Sequence, residues 1–431
     1  MSALVPQQQS RLLPDEIRDH ALAFFVRAKP HRAGARAVSN PSARRTPTPT
    51  LTTLEVLSIM RPVLRQLRRN KINIASVVTV ILAVTAGAVT FRQTFGDASA
   101  YTVSELSGAG DKGRVPCRLN NLGDVAGRAG DSPSGENRAT IWNHGSLRPT
   151  NLGKLGGGEY SSASGINDAG EVAGAANTAK SIVPFVWTPT GGLRRIPLLP
   201  GDNCGQAFGI NKYGHVAGYS SGPNGRKAFL WTRSAGVHNL GVLPGGNYST
   251  ACDINDVDEV AGTSASAAGD RAVLWTKTGD MRDLGTLRGD PSSAASAINN
   301  HGDVVGCSKG PRGMHAFLWT QASGMQDLGV LPGGNSSRAL GINDKGAVVG
   351  SSTSSPGLRA FIWTKQGGMS DLNSAVSPTS GVMFVQAHAI NNRGQILVMG
   401  SAMHESNGSG KAAPQCAPAP PLSFLLTPAS Q

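Results

Sequence analysis

The 431-residue chain carries 55 Gly and 26 Pro, about 19 per cent of the total, against 16 per cent charged and 39 per cent hydrophobic side chains. Gly and Pro at that density disfavour helix bundles and mark short strands joined by tight turns, while the lack of a Gly-X-Y period excludes collagen. The formal charge of +13 does not point to nucleic acid, because residues 1–100 hold 14 Lys/Arg and 5 Asp/Glu and leave only +4 for the rest of the chain.

Residues 1–59 read as a disordered basic extension. One amphipathic stretch, Asp15 to Lys29, sets Ile17, Ala21, Phe24, Phe25 and Ala28 on one helical face, and the run from Asn40 to Thr50 is too polar to bury itself. From Met60 the pattern changes. Arg61, Arg65, Arg68, Arg69 and Lys71 precede an apolar run from Ile72 to Phe91, which as a helix spans about 30 Å of hydrocarbon. Ala98-Ser99-Ala100 has the small-x-small form of a signal-peptidase site. Residues 60–100 are therefore expected to be a signal peptide cut after Ala100, or a membrane anchor through 72–91. Either reading exports residues 101–431, since the positive flank stays inside. A signal peptide normally starts at its basic segment, which makes Met60 an alternative start and residues 1–59 dispensable.

From Tyr101 onward the chain repeats. An Asn recurs at Asn120, Asn167, Asn211, Asn255, Asn299, Asn343 and Asn391, spaced by 44 residues except for 47 and 48 at the two ends. All six tryptophans follow it, at Trp142, Trp187, Trp231, Trp275, Trp319 and Trp363. Each unit holds four short strand candidates: one ending in Ile-Asn, then Val-x-Gly, Ala-Phe-Leu-Trp-Thr and Asp-Leu-Gly-x-Leu. Asn343-Asp344-Lys345-Gly346 predicts a tight turn with Gly346 at positive φ, and Asp258 replaces that Gly in the fourth unit as one of the few residues able to do so. Phe317 and Trp319 share one strand face while Ala316 and Leu318 share the other, so each sheet is expected to lie between two neighbours.

Four strands in 44 residues with two apolar faces match a β-propeller blade. The seventh unit stops without a fourth strand, and Tyr101 to Leu106 is a fourth strand with no unit before it. An all-β, seven-bladed β-propeller is therefore expected over residues 101–431, its ring closed by strand 101–106 joining the last blade. An open solenoid would need polar caps at both ends. The Ala-, Gly- and Ser-rich first strands are then expected to crowd the central channel.

The Ile-Asn-x-x-Gly-x-Val-x-Gly, Ala-Phe-Leu-Trp-Thr and Asp-Leu-Gly-x-Leu-x-Gly-Gly segments resemble the HAF family of extracellular repeats of bacterial secreted and surface proteins, over residues 101–428. The resemblance implies export and a repeat architecture, and it brings no activity or catalytic residues. This chain departs from the pattern at Asp258, at Val398 in place of the second Gly, at Leu426 in place of Trp, and in the loop from Ser401 to Pro421.

No residue stands out as catalytic, metal-binding or cofactor-binding. Gly218-Tyr219-Ser220-Ser221-Gly222 and Gly306-Cys307-Ser308-Lys309-Gly310 fit the nucleophile-elbow pattern, but they link strand to strand, where that motif needs strand to helix. Asp253, Asp256, Asp258 and Glu259 offer oxygen ligands without EF-hand spacing, so a solvated turn is the expectation. The seven histidines after residue 100 are scattered in phase. Asp283, Asp327 and Asp371 share one phase and are expected to cap turns. Cys117, Cys204, Cys252, Cys307 and Cys416 are an odd set whose pairing cannot be read from spacing.

The expected function is that of an exported binding or structural module for an extracellular ligand, with carbohydrate, cell-wall material and protein all open, no nucleic acid, and membrane contact only through 72–91 if uncut. The ligand is expected at the loops of one face or the channel mouth, with specificity in the 401–421 loop and in segments such as Ser351 to Arg359. The alternative is a propeller hydrolase or lyase acting on carbohydrate or ester-like substrates.

Overall fold

The computed structural model describes residues 81–85, 88–92, 100–106, 115–130, 137–145, 148–377, 381–402 and 422–429. The chain divides into two units, Met1–Thr94 and Phe95–Gln431. In the first, Ile81–Thr85 and Ala88–Arg92 form an antiparallel hairpin with Val84 opposite Val89. These residues of the expected 72–91 span are strands here, the rest of it lies outside the described residues, and no helix among the described residues is long and apolar enough to cross a bilayer. Ile, Val and Thr dominate these two strands, and β-branched side chains favour strand over helix. Residues 1–80 lie outside the described part.

The second unit is the expected seven-bladed propeller, a ring of seven four-stranded antiparallel sheets. The innermost strands of blades 1 to 7 are Val115–Leu119, Ser161–Ile166, Cys204–Ile210, Ser249–Ile254, Ser292–Ile298, Ser337–Ile342 and Val382–Ile390. In blades 1 to 6 the next three strands of the chain follow outward in order. Blade 7 takes Ile396–Ala402 and Leu422–Pro428 from the C-terminal side and its outermost strand, Tyr101–Glu105, from the N-terminal side. Tyr101 lies opposite Pro428 and Glu105 opposite Phe424. Leu106, only 1% exposed, then packs with Val125 and Trp142 of blade 1 and Leu397 and Leu425 of blade 7. The closure strand is thus fastened by backbone pairing on one side and by apolar contact with the next blade.

Each core cluster lies between two blades. Phe317 and Trp319 pack with Ala272, Leu274 and Leu287 on one side of blade 5, while Ala316 and Leu318 pack with Phe361 and Trp363 on the other. One buried aromatic per strand removes roughly 150–250 Å² from water, about 4–6 kcal/mol gross at 25 cal/mol per Å². The Val-x-Gly glycine is a consequence of this packing. A Cβ on Gly350 would stand 2.9 Å from the Phe361 ring and against the Arg338 carbonyl, so the aromatic lies across bare backbone. In the turns, Gly346 has φ 74° and Asp258, the only non-glycine residue at positive φ among the described ones, has φ 65°.

Ser351 to Arg359 is not a variable loop. The second and third strands of blade 6 stay paired from Val348 with Trp363 out to Ser354 with Gly357, leaving a two-residue turn at Ser355-Pro356. Gly357 at φ 114° and the Ser354 hydroxyl donating to its carbonyl at 2.7 Å hold that turn. Of the 401–421 loop only Ser401 and Ala402 are described, as the end of a strand.

Candidate functional site

The inner strands end in Leu-Asn or Ile-Asn, and the seven Asn side chains meet around one end of the channel. Each Oδ1 caps its own turn: Asn120 Oδ1 accepts the amides of Leu122, Gly123 and Asp124 at 3.0, 2.9 and 2.8 Å. Each Nδ2 donates to the carbonyl of the Asn in the next blade, from Asn120 to Asn167 at 3.1 Å round to Asn391 to Asn120 at 2.9 Å. Seven head-to-tail hydrogen bonds therefore lock the narrow end. A primary amide is the side chain that offers an acceptor to its own turn and a donor to its neighbour on one rigid group.

Two residues before each Asn the inner strands crowd one another. A Cβ on Gly165 would stand 2.6 Å from the Phe208 carbonyl oxygen, and one on Gly209 would stand 3.0 Å from the Asp253 Cα. Gly165, Gly209, Ala297, Gly341 and Ala389 are small at this level. Blades 1 and 4 depart from the pattern with Arg118 and Asp253, and the two side chains meet in the channel. Arg118 Nη2 lies 3.9 Å from Asp253 Oδ2 and donates to the Ser296 carbonyl at 3.4 Å. Burial pushes the Asp253 carboxyl up, with Arg118 and the amides of Ile298 and Ile254 pulling the other way.

Every inner strand carries a β-bulge just before this level. A bulge adds one unpaired residue and re-aims its side chain. The residues concerned are Cys117, Ser164, Phe208, Cys252, Ser296, Leu340 and His388. All seven line a cavity of about 520 Å³ where the channel widens towards the start of the inner strands. Three arginines also reach it. Arg118 forms part of the wall, Arg128 comes from the second strand of blade 1, and Arg338 from the inner strand of blade 6. No Asp or Glu among the described residues lines it.

The arginine fields overlap inside this cavity. Burial pushes the Cys117 thiol up against the opposing charges of Arg118 and Arg128. Burial likewise takes Cys252 to about 11, against Arg118 and Arg338. His388 is held down to about 4 by burial, reinforced by Arg118, and so stays neutral in ordinary conditions. Its Nε2 lies 2.8 Å from Met399 Sδ.

The residues singled out in the sequence take varied places. Ser220 and Ser308 are fully buried; each accepts a loop amide, from Leu199 and Leu287, and donates to an Asp, Asp202 and Asp290, which makes them blade staples rather than nucleophiles. The four acidic residues of 253–259 diverge. Asp253 enters the channel, Asp256 accepts the Lys212 amide, Asp258 accepts from Asn211, and Glu259 from Asn255. Among the described residues no cluster of three His, Cys, Asp or Glu is set to hold a metal. Asp283, Asp327 and Asp371 each accept a turn amide two residues on, at 2.8 to 2.9 Å, as expected. Cys204, Cys252 and Cys307 are free thiols among the described residues, and Cys416 lies outside them.

The group Arg118, Arg128, Asp253, Arg338 and His388 was not assembled from the sequence, which placed Asp253 in a solvated turn and passed over the three arginines. Writing the seven units in register exposes it: Arg118 and Asp253 stand in a column of Gly and Ala, and Arg128 in a column holding Ala175, Tyr219, Thr263, Cys307, Ser351 and Met399.

No family model matches the chain, and no curated protein matches its sequence. Solved structures that resemble it are propellers at low identity. TolB from Acinetobacter baumannii is 13% identical with a TM-score of 0.42, covering 58% of this chain, which spans 63% of that one. Virginiamycin B lyase from Staphylococcus aureus is 12% identical with a TM-score of 0.46, over 75% and 98% of the two chains. An oligogalacturonate lyase in complex with manganese is 13% identical with a TM-score of 0.47, over 77% and 95%. These likenesses concern the fold and say nothing about activity.

Proposed function

We propose that the protein is an exported binding module whose ligand enters the wide end of the central channel. The observation that carries this reading is the convergence of blade-specific polar residues on one cavity of about 520 Å³, a volume suited to a small molecule. The repeated residues are accounted for by packing, turns and the Asn lock, and the departures from the repeat are what remain for recognition. Export rests on the basic-then-apolar order of residues 60–91 and on the Ala98-Ser99-Ala100 site, with the closure strand beginning immediately afterwards at Tyr101.

The test is titration of the full chain with neutral sugars, sugar acids and short peptides, beside Ser164→Phe. Blade 3 already carries Phe208 at the matching position, so this substitution is expected to fill the cavity without unfolding the ring. Loss of saturable binding supports the reading; a ligand that binds S164F as well as the native protein places recognition elsewhere. N-terminal sequencing of exported protein is expected to start at Tyr101, and a mature chain retaining residues 1–59 overturns the cleavage. An enzyme is the second reading, favoured by the half-buried Asp253 carboxyl and the neutral His388, both of which feel Arg118. Turnover of any titrated compound that is abolished by H388Q selects it.

A further inference from the structure

Three of the positions that are arginine in one blade only send their side chains to the same cavity. In register with Arg118 the other blades carry Gly, Ala or Asp; in register with Arg128, Ala, Tyr, Thr, Cys, Ser or Met; in register with Arg338, Val115, Ser162, Gln206, Thr250, Ala294 and Gln386. A blade therefore folds without arginine at any of these places, and the requirement comes from the channel.

Their electrostatic state differs. Arg118 is anchored, with Asp253 at 3.9 Å and the Ser296 carbonyl at 3.4 Å. Arg128 makes one contact to the side, Nη1 to the Tyr160 hydroxyl at 3.4 Å, and its Nε is buried with no hydrogen-bond partner. A buried donor left unmade is costly, which makes it a place where a ligand acceptor is missing. Arg338 is exposed at the mouth, and neither it nor Arg128 has a carboxylate partner among the described residues. The cavity thus holds two uncompensated guanidinium groups above one neutralised one. Around them stand the hydroxyls of Ser162, Ser164, Thr250 and Ser296, the Gln206 amide, and the rings of Tyr160 and Phe208.

We propose that this cavity is an oxyanion-recognition site, taking a small polyhydroxylated ligand whose carboxylate or phosphate is held by Arg128 and Arg338, with the Arg118–Asp253 pair as the floor. The proposal deepens the binding reading above and rests on it. Guanidinium forks pair with carboxylate and phosphate in two-point geometry, and a cavity walled by protein strengthens that pairing over its value in bulk water. The hydroxyls and aromatic faces suit the body of a sugar, so a sugar acid or sugar phosphate is the ligand class.

The experiment is calorimetric titration of the full chain with D-glucuronate, glucose 6-phosphate, inorganic phosphate and neutral D-glucose, on the native protein and on Arg338→Gln and Arg128→Gln. Arg338 is exposed, so R338Q is expected to melt as the native protein does and keeps the test independent of folding. The expected result is saturable binding of an acidic sugar, weakened roughly 10- to 100-fold in either variant and by added salt, with glucose bound far more weakly. The glucuronate and phosphate arms identify which oxyanion the site takes. If glucose binds as tightly as the acids, or if the variants bind an acid unchanged, the oxyanion assignment falls while the cavity remains a ligand site. If no anion binds up to about 10 mM, the assignment also falls, and only a neutral ligand displaced by S164F then sustains the binding reading.

Discussion

Replacing one member of the Asn lock should weaken the whole ring. Asn299 is 4% exposed; its Oδ1 accepts the amides of His301 at 3.0 Å and Asp303 at 2.9 Å, and its Nδ2 donates to the Asn343 carbonyl at 3.2 Å and to Asp303 Oδ2 at 3.1 Å. In Asn299→Ala the amide of exposed His301 can turn to water, and the Asn343 carbonyl keeps the Gly346 amide at 3.0 Å. The Asp303 amide and carboxylate lose more. Counting about 1–3 kcal/mol for the enclosed amide and about 1 kcal/mol for the remainder gives a loss of about 2–4 kcal/mol. For a domain of this size that lowers the melting midpoint by about 3–6 °C in a calorimetric scan. Asn299→Asp retains the acceptor but turns an oxygen towards the Asn343 carbonyl and the Asp303 carboxylate, so near neutral pH it should melt below N299A and recover part of the difference in acid. If N299A loses less than about 1 kcal/mol, or N299D matches the native protein, the lock contributes nothing to closure and the argument from it fails.

Other consequences are open to measurement. Leu106→Ala removes a buried side chain at the joint between blades 7 and 1 and should destabilise by about 2–5 kcal/mol, read as a drop in the urea midpoint; a neutral result would mean that strand pairing alone closes the ring. Gly350→Ala puts a methyl group against the Arg338 carbonyl and the Phe361 ring and should lose about 1–3 kcal/mol, whereas Gly346→Ala, with nothing near its Cβ, is strained only by its φ of 74°. His388 takes a proton near 6.5 when unfolded and only at about 4 when folded. Between those values the unfolded chain binds the extra proton, so this contribution is complete above pH 6.5 and is lost as pH falls towards 4, by up to about 3 kcal/mol. Urea midpoints followed from about pH 7 to about pH 5 should therefore fall less steeply for His388→Gln than for the native protein, and equal slopes would contradict the burial of this imidazole.

The blade was legible in the sequence because each physical requirement is stated six or seven times. The Asn, the positive-φ Gly, the Val-x-Gly under an aromatic ring and the strand alternation recur in register, and a missing strand at one end is answered by a surplus strand at the other. The site was not legible for the converse reason: the polar groups that line the cavity sit in the exceptions. Asp253 reads as the first member of an acidic turn, whereas it is the last but one residue of an inner strand and enters the channel. His388 reads as scattered because its column holds five different residue types, and nothing in the primary pattern shows that a bulge turns that column inward. Arg128 lies on a second strand, from which alternation alone does not predict access to the channel. The 72–91 run reads as a span through its hydrophobicity and length, and its β-branched content prevails in the part that is described.

The bulged residues of the inner strands fall where the ladder register shifts, while the Ala before each in blades 2 to 7 and the Ile or Leu two residues after each in all blades are committed to packing. Chemistry at the pore wall is thereby uncoupled from the energetics of the sheet. Thiol, hydroxyl, phenyl, isobutyl and imidazole groups already coexist there around a single circle. Mutational drift at these points, His388 apart, can alter the chemistry of the pore wall at little cost to the scaffold, and a designer could exchange them one at a time for the same reason.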